Sequence, residues 1–184
     1  MAKPERGEVW TFLGSRELSD HHIFRIRNDR YCFEPSGRQQ DFVVLDSSDW
    51  VNVIPITDDG QVVLIRQYRH GIRAATLEIP GGIIDRGESP EAAAARELRE
   101  ETGYVAARIR KLGRTRPNPA IQNNFQHSYL AEGCLKTAQP ELDPFEHVEV
   151  LLSPLKSIPE LIRREEISNA LVITAFSFLW APSL

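Results

Sequence analysis

Cysteine is almost missing from this chain of 184 residues, with Cys32 and Cys134 the only two. A pair so widely spaced excludes a disulfide framework and a paired-cysteine zinc site, and a reducing cytoplasm suits it best. Long apolar runs are missing too. No stretch approaches the roughly 18 to 20 residues of a membrane span, and the opening Met1 to Arg6 lacks the apolar centre of a secretory signal. Positive charge is in deficit, with 22 Lys and Arg against 26 Asp and Glu. A nucleic-acid partner is therefore not expected, because such proteins displace phosphate counterions with a basic surface. An anionic small ligand stays open, provided a cation stands between it and any local concentration of acids. The five histidines, His21, His22, His70, His127 and His147, show no metal-ligand spacing and are expected to be structural or surface groups.

What is present is enough for one sizeable core. From Trp10 to Leu45 short apolar runs alternate with polar residues. Ile23 to Arg27, Tyr31 to Phe33 and Phe42 to Leu45 are expected as strands, separated by turns at Asn28-Asp29 and Pro35-Ser36-Gly37. This predicts an antiparallel, strand-rich N-terminal lobe over residues 1–48, with the core domain over 49–184. Trp50 to Ile56 and Gln61 to Gln67 flank Thr57-Asp58-Asp59-Gly60, a hairpin signal. Pro80-Gly81-Gly82 is expected as a loop after the strand Thr76 to Ile79. A helix is predicted over 90–102, with Ser89 as its cap, Pro90 at its first position and Gly103 as its left-handed stop. Strands are expected at Val105 to Leu112, Phe125 to Ala131 and His147 to Leu152. Helices follow at Pro159 to Glu166 and at Asn169 to Trp180, the latter capped by Ser168 or Asn169.

The chemistry concentrates between Gly82 and Tyr104. On the predicted helix, Glu97 and Glu101 are one turn apart and Glu100 lies three residues from Glu97, so the three share one face. Such a face is more often simply solvated, since the repulsion costs only a few tenths of a kcal/mol per exposed pair. Two neighbours argue for more. The glycines before the helix could add backbone oxygens, and Arg96 can hold carboxylates by charge-assisted hydrogen bonds. The set would then offer the hard oxygen ligands that Mg²⁺ prefers.

The spacing of Gly82, Glu88, Arg96-Glu97-Leu98, Glu100-Glu101, Gly103 and Tyr104 resembles the Nudix signature at every fixed position, with Tyr104 in place of the usual aliphatic residue. The resemblance implies an α/β fold, a three-layer α/β/α sandwich around a mixed sheet, with the signature forming a loop, helix and loop that binds metal. It implies metal ligation by Glu97, Glu100 and Glu101, with Gly81 a backbone-carbonyl ligand, Arg96 orienting the carboxylates, Glu88 as partner of Arg96, and Mg²⁺ or, as a substitute, Mn²⁺ as cofactor. The approach Leu77-Glu78-Ile79-Pro80-Gly81-Gly82, the Gln67-Tyr68-Arg69 segment and Pro119, fifteen residues past Tyr104, resemble the ADP-ribose pyrophosphatase branch. That branch hydrolyses nucleoside diphosphate sugars to a nucleoside monophosphate and a sugar phosphate. The loop Asn118 to Asn124 departs from its usual Ser-Pro-Gly-like sequence, which leaves the preferred sugar and base open.

By the same resemblance the general base lies on a loop before the strand near His147. Glu146 is the first choice, with Glu141, Asp143 and Glu149 behind it. Glu100 and Arg96 complete the catalytic set. Arg69 is expected to contact phosphate, Glu78 the ribose or base, and Arg38 or Arg25 to reach the ligand from the N-terminal lobe. The resemblance further implies a homodimer, in which the strands of the N-terminal lobe shape the partner's site, and a symmetric homodimer is the commonest oligomer. The alternatives are a Nudix enzyme acting on nucleoside triphosphates or dinucleotides, and a non-catalytic nucleotide-sugar sensor. Pro119 counts against the first and the complete set of glutamates against the second.

Overall fold

The computed structural model describes residues 9–142 and 144–181. The chain divides into two compact units, one ending at Ser48 and including Arg116–Asn124, the other made of Asp49–Thr115 and the chain from Phe125 onward.

The first unit is a three-stranded antiparallel sheet, β1 (Trp10–Asp20), β2 (Phe24–Phe33) and β3 (Arg38–Ser47), in the order β1-β2-β3. The turn expected at Asn28-Asp29 does not exist. β2 runs through both residues, and Asp29 is buried because its carboxylate accepts from Arg27 Nε at 2.9 Å and from Ser15 Oγ at 2.6 Å. A residue type that favours turns is thus held in a strand by charge-assisted bonds to neighbours on its own sheet. The chain reverses instead around His22, at φ 66°, whose N–H donates to Asp20 Oδ1 at 2.9 Å. One face carries a contiguous aromatic group, Trp10 against Phe33 and Phe42, and Tyr31 against Phe12 and Phe42. The 116–124 segment joins this unit through Leu45 N–H donating to Ile121 O and Asn123 Nδ2 donating to Asp46.

The second unit is built on a mixed sheet. β4 (Trp50–Ile56) and β5 (Gln61–Arg69) form the hairpin over Thr57–Gly60; β6 (Ala74–Glu78) pairs with β5, and β7 (Gly81–Ile83) pairs with β4. After helix α1 (Pro90–Thr102) come β8 (Tyr104–Val105), β9 (Arg108–Thr115), β10 (Gln126–Glu132), β11 (Leu135–Lys136) and β12 (Val148–Pro154), then α2 (Ile158–Arg163) and α3 (Ala170–Trp180). The main path runs β12-β5-β4-β10-β9, with β10 parallel to β4 and the other pairings antiparallel. Alternation along the strands divides the core into two layers. Val51, Val53 and Val63 pack with Ala93, Ala94 and Leu98 of α1, whereas Ile54, Val62 and Leu64 pack with Val172, Ala175 and Phe176 of α3. The unit is therefore a three-layer α/β/α sandwich.

Two expectations change here. Pro80-Gly81-Gly82 is not all loop, because Gly81 and Gly82 pair with Asn52 and Val51 as the start of β7. A Cβ at Gly81 would lie 2.3 Å from Val51 O, so only glycine admits this approach. The strand expected at Val105 to Leu112 is broken at Ala106-Ala107, where Ala107 N–H turns to Glu132 O at 3.0 Å.

Helix α1 begins and ends as its sequence dictates. Ser89 Oγ accepts from Ala92 N–H at 3.1 Å, and Gly103, at φ 73°, donates to Arg99 O at 2.8 Å. Gly103 has a second duty: its carbonyl accepts from Thr137 and Ala138 N–H, and a Cβ there would meet Ala138 O at 2.1 Å. Gly60, at φ 77°, has open space around it. Gly60→Ala should cost about 1 kcal/mol, the backbone penalty alone, and Gly103→Ala roughly 3 kcal/mol, the excess reporting the close approach. Urea denaturation of the two variants checks this; equal losses would mean that the approach to Ala138 carries no energy.

Candidate active site

The stripe of α1 that faces the sheet buries Ala94, Leu98 and Thr102, and it carries Glu101 under with them. Burying Leu98 contributes roughly 2 kcal/mol; burying a carboxylate opposes folding unless its charge is answered. For Glu101 the answer is partial. Its Oε2 accepts from Gly81 N–H at 2.9 Å, but desolvation, with Glu97 and Glu146 adding like charge, pushes its pKa up to about 8. Glu97 is pushed up as well, first by desolvation, then by Glu100 and Glu146, against the pull of Arg96. A Cβ on Gly82 would stand 2.3 Å from Glu97 Oε1, so this glycine makes room for the carboxylate.

Arg96 gathers the remaining acids. Its Nε and Nη2 each donate to Glu88 at 3.0 Å, Nη1 donates to Glu97 at 2.8 Å and to Glu100 at 3.2 Å, and Nη2 also donates to Ile83 O at 3.1 Å. The fork thus fixes Glu88 on one side and two acids of the helix on the other. With Arg96 between Glu97 and Glu100, the acids answer to the arginine rather than to a common centre. Among the described residues no three His, Cys, Asp or Glu side chains are grouped closely enough to hold an ion as they stand.

A second arrangement lies where β5 ends. Alternation places Arg69 and Glu78 on the sheet face of Val63, the side covered by α1. Arg69 Nε and Nη2 donate to the two oxygens of Glu78 at 2.8 and 2.7 Å. Glu78 is buried, yet held below the usual carboxylate range, because Arg69, Thr76 and Asn169 together outweigh its desolvation. Arg69 is half exposed and lies within the fields of Glu101 and Glu146.

The loop candidates for the base separate cleanly. Glu146 is exposed, and its charge is felt by Glu97, Glu101 and Arg69. Glu141 is tied to the end of α1, its N–H donating to Glu100 O at 2.7 Å and its carboxylate accepting from Arg99 at 2.9 Å. Glu149 on β12 reaches across to Arg66 of β5 at 3.1 Å, and Asp143 lies outside the described residues. Arg38 begins β3 in the first unit and is exposed; Arg25 pairs with Asp46 at 2.9 Å. Two polar residues of this neighbourhood give no sign of themselves in the sequence beyond local preference. Thr76 reads as a strand residue and Asn169 as a helix cap, and only the folded chain shows both on Glu78.

Residues 48–175 match the NUDIX domain family. The chain belongs to the Nudix family. It is a Nudix pyrophosphohydrolase. Among its relatives, the ADP-ribose pyrophosphatase of Bacillus subtilis (strain 168) is 32% identical over 146 residues, 79% of each chain. The methanol dehydrogenase activator of Bacillus methanolicus is 30% identical over the same shares. In fold, the crystal structure of an ADP compounds hydrolase aligns with a TM-score of 0.83 over 94% of this chain and 92% of that one, at 23% identity.

Nudix hydrolases generally use divalent metals, and this site's chemistry fits one. Its donors are carboxylate oxygens, as a hard cation requires, and the half-buried Glu97 and the buried Glu101 repel each other with too little positive charge to answer them. The sign of the resulting pH dependence follows. A carboxyl whose folded pKa lies above its ordinary 4.5 stabilises the fold fully only below that value, and the contribution is lost as pH rises toward about 8. In chelator, the melting temperature should therefore fall between pH 5 and 8, and Glu101→Gln should flatten the fall. A divalent cation at millimolar concentration should raise the melting temperature more at pH 8 than at pH 5. A pH-independent response to the cation would mean that Glu101 does not meet it.

Proposed function

We propose that this Nudix enzyme hydrolyses the pyrophosphate bond of a nucleoside diphosphate sugar, ADP-ribose or a near relative, to a nucleoside monophosphate and a sugar phosphate. Mg²⁺ is the proposed cation, with Mn²⁺ as a substitute, and the setting a reducing cytoplasm. The observation that carries this is electrostatic: Glu97, Glu101 and Glu146 act on one another, and Arg69 stands in the field of the last two. Acids in need of a cation and a guanidinium suited to phosphate thus share one neighbourhood. The name of the Bacillus subtilis relative and the signature's flanks support the substrate class.

In this reading Glu97, Glu100, Glu101 and the carbonyl of Gly81 would hold the cation, which when bound neutralises the diphosphate oxygens. Arg96 orients Glu97 and Glu100 through Nη1. Arg69 takes a phosphate oxygen and fixes the diphosphate against the acids. Glu146, exposed and near the acids, accepts a proton from the attacking water. The water oxygen bonds to phosphorus, the bridging P–O bond breaks, and the other phosphate leaves with the electron pair. Glu78 serves through Arg69 rather than by touching the base or ribose, because its four acceptor positions are already taken. Arg38 enters as a substrate contact on the family resemblance alone.

Product analysis with ADP-ribose, ADP-glucose, GDP-mannose, UDP-glucose and dNTPs tests the reading, and the differently named Bacillus methanolicus relative makes the breadth of the panel matter. Chelator-sensitive release of a nucleoside monophosphate and a sugar phosphate is expected. Glu146→Gln should lower kcat by roughly a hundredfold or more with little change in KM, whereas Glu149→Gln should stay near wild type. Binding of a nucleotide sugar without turnover would point to a sensor, and turnover of dNTPs alone to the other Nudix chemistry.

A homodimer through the first unit's sheet is part of the proposal. Its support is the exposure on one face of Trp10 at 44%, Phe12 at 54% and Phe42 at 37%, more apolar surface than a small sheet leaves in water without use. Sedimentation should show a dimer, shifted to monomer by Trp10→Glu with Phe12→Glu. A monomeric wild type at micromolar concentration would end this part.

A further inference from the structure

Glu78 has an unusual distribution of partners. Its Oε1 accepts from Arg69 Nε at 2.8 Å and from Thr76 Oγ1 at 2.6 Å; its Oε2 accepts from Arg69 Nη2 at 2.7 Å and from Asn169 Nδ2 at 2.9 Å. Glu78 is 2% exposed. It therefore makes no bond to solvent that could substitute for a lost one, and every donor it has bears on how it is oriented. A carboxylate on a side chain as long as glutamate's turns about its last torsion over a broad range. Two parallel bonds from Arg69 fix the guanidinium to the carboxylate, but not the carboxylate to the protein. The remaining two donors do that. Thr76 comes from the same face of β6 two residues earlier, and Asn169 from the start of α3, ninety-one residues on in sequence.

Asn169 does two jobs at once. Its Oδ1 accepts from Leu171 N–H at 2.9 Å and caps α3, while its Nδ2 reaches Glu78. An N-cap needs only an acceptor, so serine, threonine or aspartate would have served the helix equally well. Among the favoured caps only asparagine carries a donor atom separate from its capping oxygen, since a serine or threonine hydroxyl has one oxygen for both and aspartate has no donor. Asn169 matters to Arg69 through that second half of its amide.

We propose that Thr76 and Asn169 are positioning residues for substrate phosphate. They lock the Glu78 carboxylate so that Arg69 is held ready for the diphosphate, and α3 takes part in the site through its cap. This rests on the proposed role of Arg69 and extends it to two residues that touch no substrate. The effect belongs to binding. A guanidinium already ordered loses little freedom when phosphate arrives, and one that has come loose must be ordered at that moment.

The test compares Asn169→Ser, which keeps the cap acceptor but removes the longer amide whose Nδ2 reaches Glu78, with Thr76→Val, which removes a hydroxyl at nearly constant volume, and with Arg69→Ala as reference. Two readouts are taken, steady-state kinetics on the best nucleotide sugar and exchange of the Arg69 Nε–H proton by NMR, which needs no turnover. Asn169→Ser and Thr76→Val should each raise KM about tenfold with kcat within about twofold. Each should speed the exchange by a similar factor, with melting temperatures near wild type. Thr76→Ser should restore both readouts. If Arg69→Ala raises KM while neither Asn169→Ser nor Thr76→Val changes KM or exchange, the two are structural only and the proposal is wrong. If Arg69→Ala leaves KM unchanged, it is the phosphate role of Arg69 that fails, and the exchange rates still decide whether Thr76 and Asn169 hold the guanidinium. Thr76→Val, which touches no helix cap, decides alone should Asn169→Ser fail to fold.

Discussion

Negative charge withdrawn from water is the constraint around which the second unit is organised. Glu101 lies on the same stripe of α1 as Leu98, so the hydrophobic burial that docks the helix also desolvates the acid. The molecule cannot have the one without the other. Around this conflict stand the features that make it tolerable: the Gly81 N–H aimed at Glu101, the room that Gly82 leaves for Glu97, and the Arg96 fork that spans Glu88, Glu97 and Glu100. Each lowers the cost of the buried charge without removing it. The residual is what makes the site receptive to a cation, and a fully neutralised cluster would have no such use.

The same logic separates the two arginines. Arg96 is surrounded by acids and committed to them, whereas Arg69 keeps one carboxylate partner and a half-exposed guanidinium. An arginine saturated by acids orients them; one held by a single locked acid can still offer N–H donors outward. The difference arises from local geometry, since Arg96 sits one turn from Glu100 on a helix while Arg69 ends a strand.

Much of this was legible in the sequence because it depends on short-range spacing. The helix from Pro90 to Thr102, its Ser89 cap, its Gly103 stop and the shared face of its glutamates all follow from periodicity within about four turns. The sheets were legible in their strands but not in all their limits. Asn28-Asp29 prefers a turn, and only the pairing of Asp29 with Arg27 and Ser15 makes it strand. Gly81 and Gly82 look like loop until β4 is placed beside them. Thr76 and Asn169 could not have been singled out, because what distinguishes them is a shared acceptor on Glu78 and no local pattern encodes that. Asn169 announced its cap and concealed its second bond.

The parallel pairing of β4 with β10 has a consequence for how the molecule comes into being. Trp50 meets Gln126 and Ile56 meets Glu132, so a ribosome adding about 5 to 20 residues per second exposes β4 for roughly 4 to 15 seconds before its partner exists. During that interval an apolar strand, Val51 to Ile54, has only β5 and the short β7 beside it. The hairpin and the helix that follow in sequence can shelter one of its faces early, but one edge waits for β10. Parallel pairing over such a distance is slow to form even in the finished chain. Newly made copies therefore depend, more than mature ones, on whatever keeps open strand edges apart in the cell that makes them.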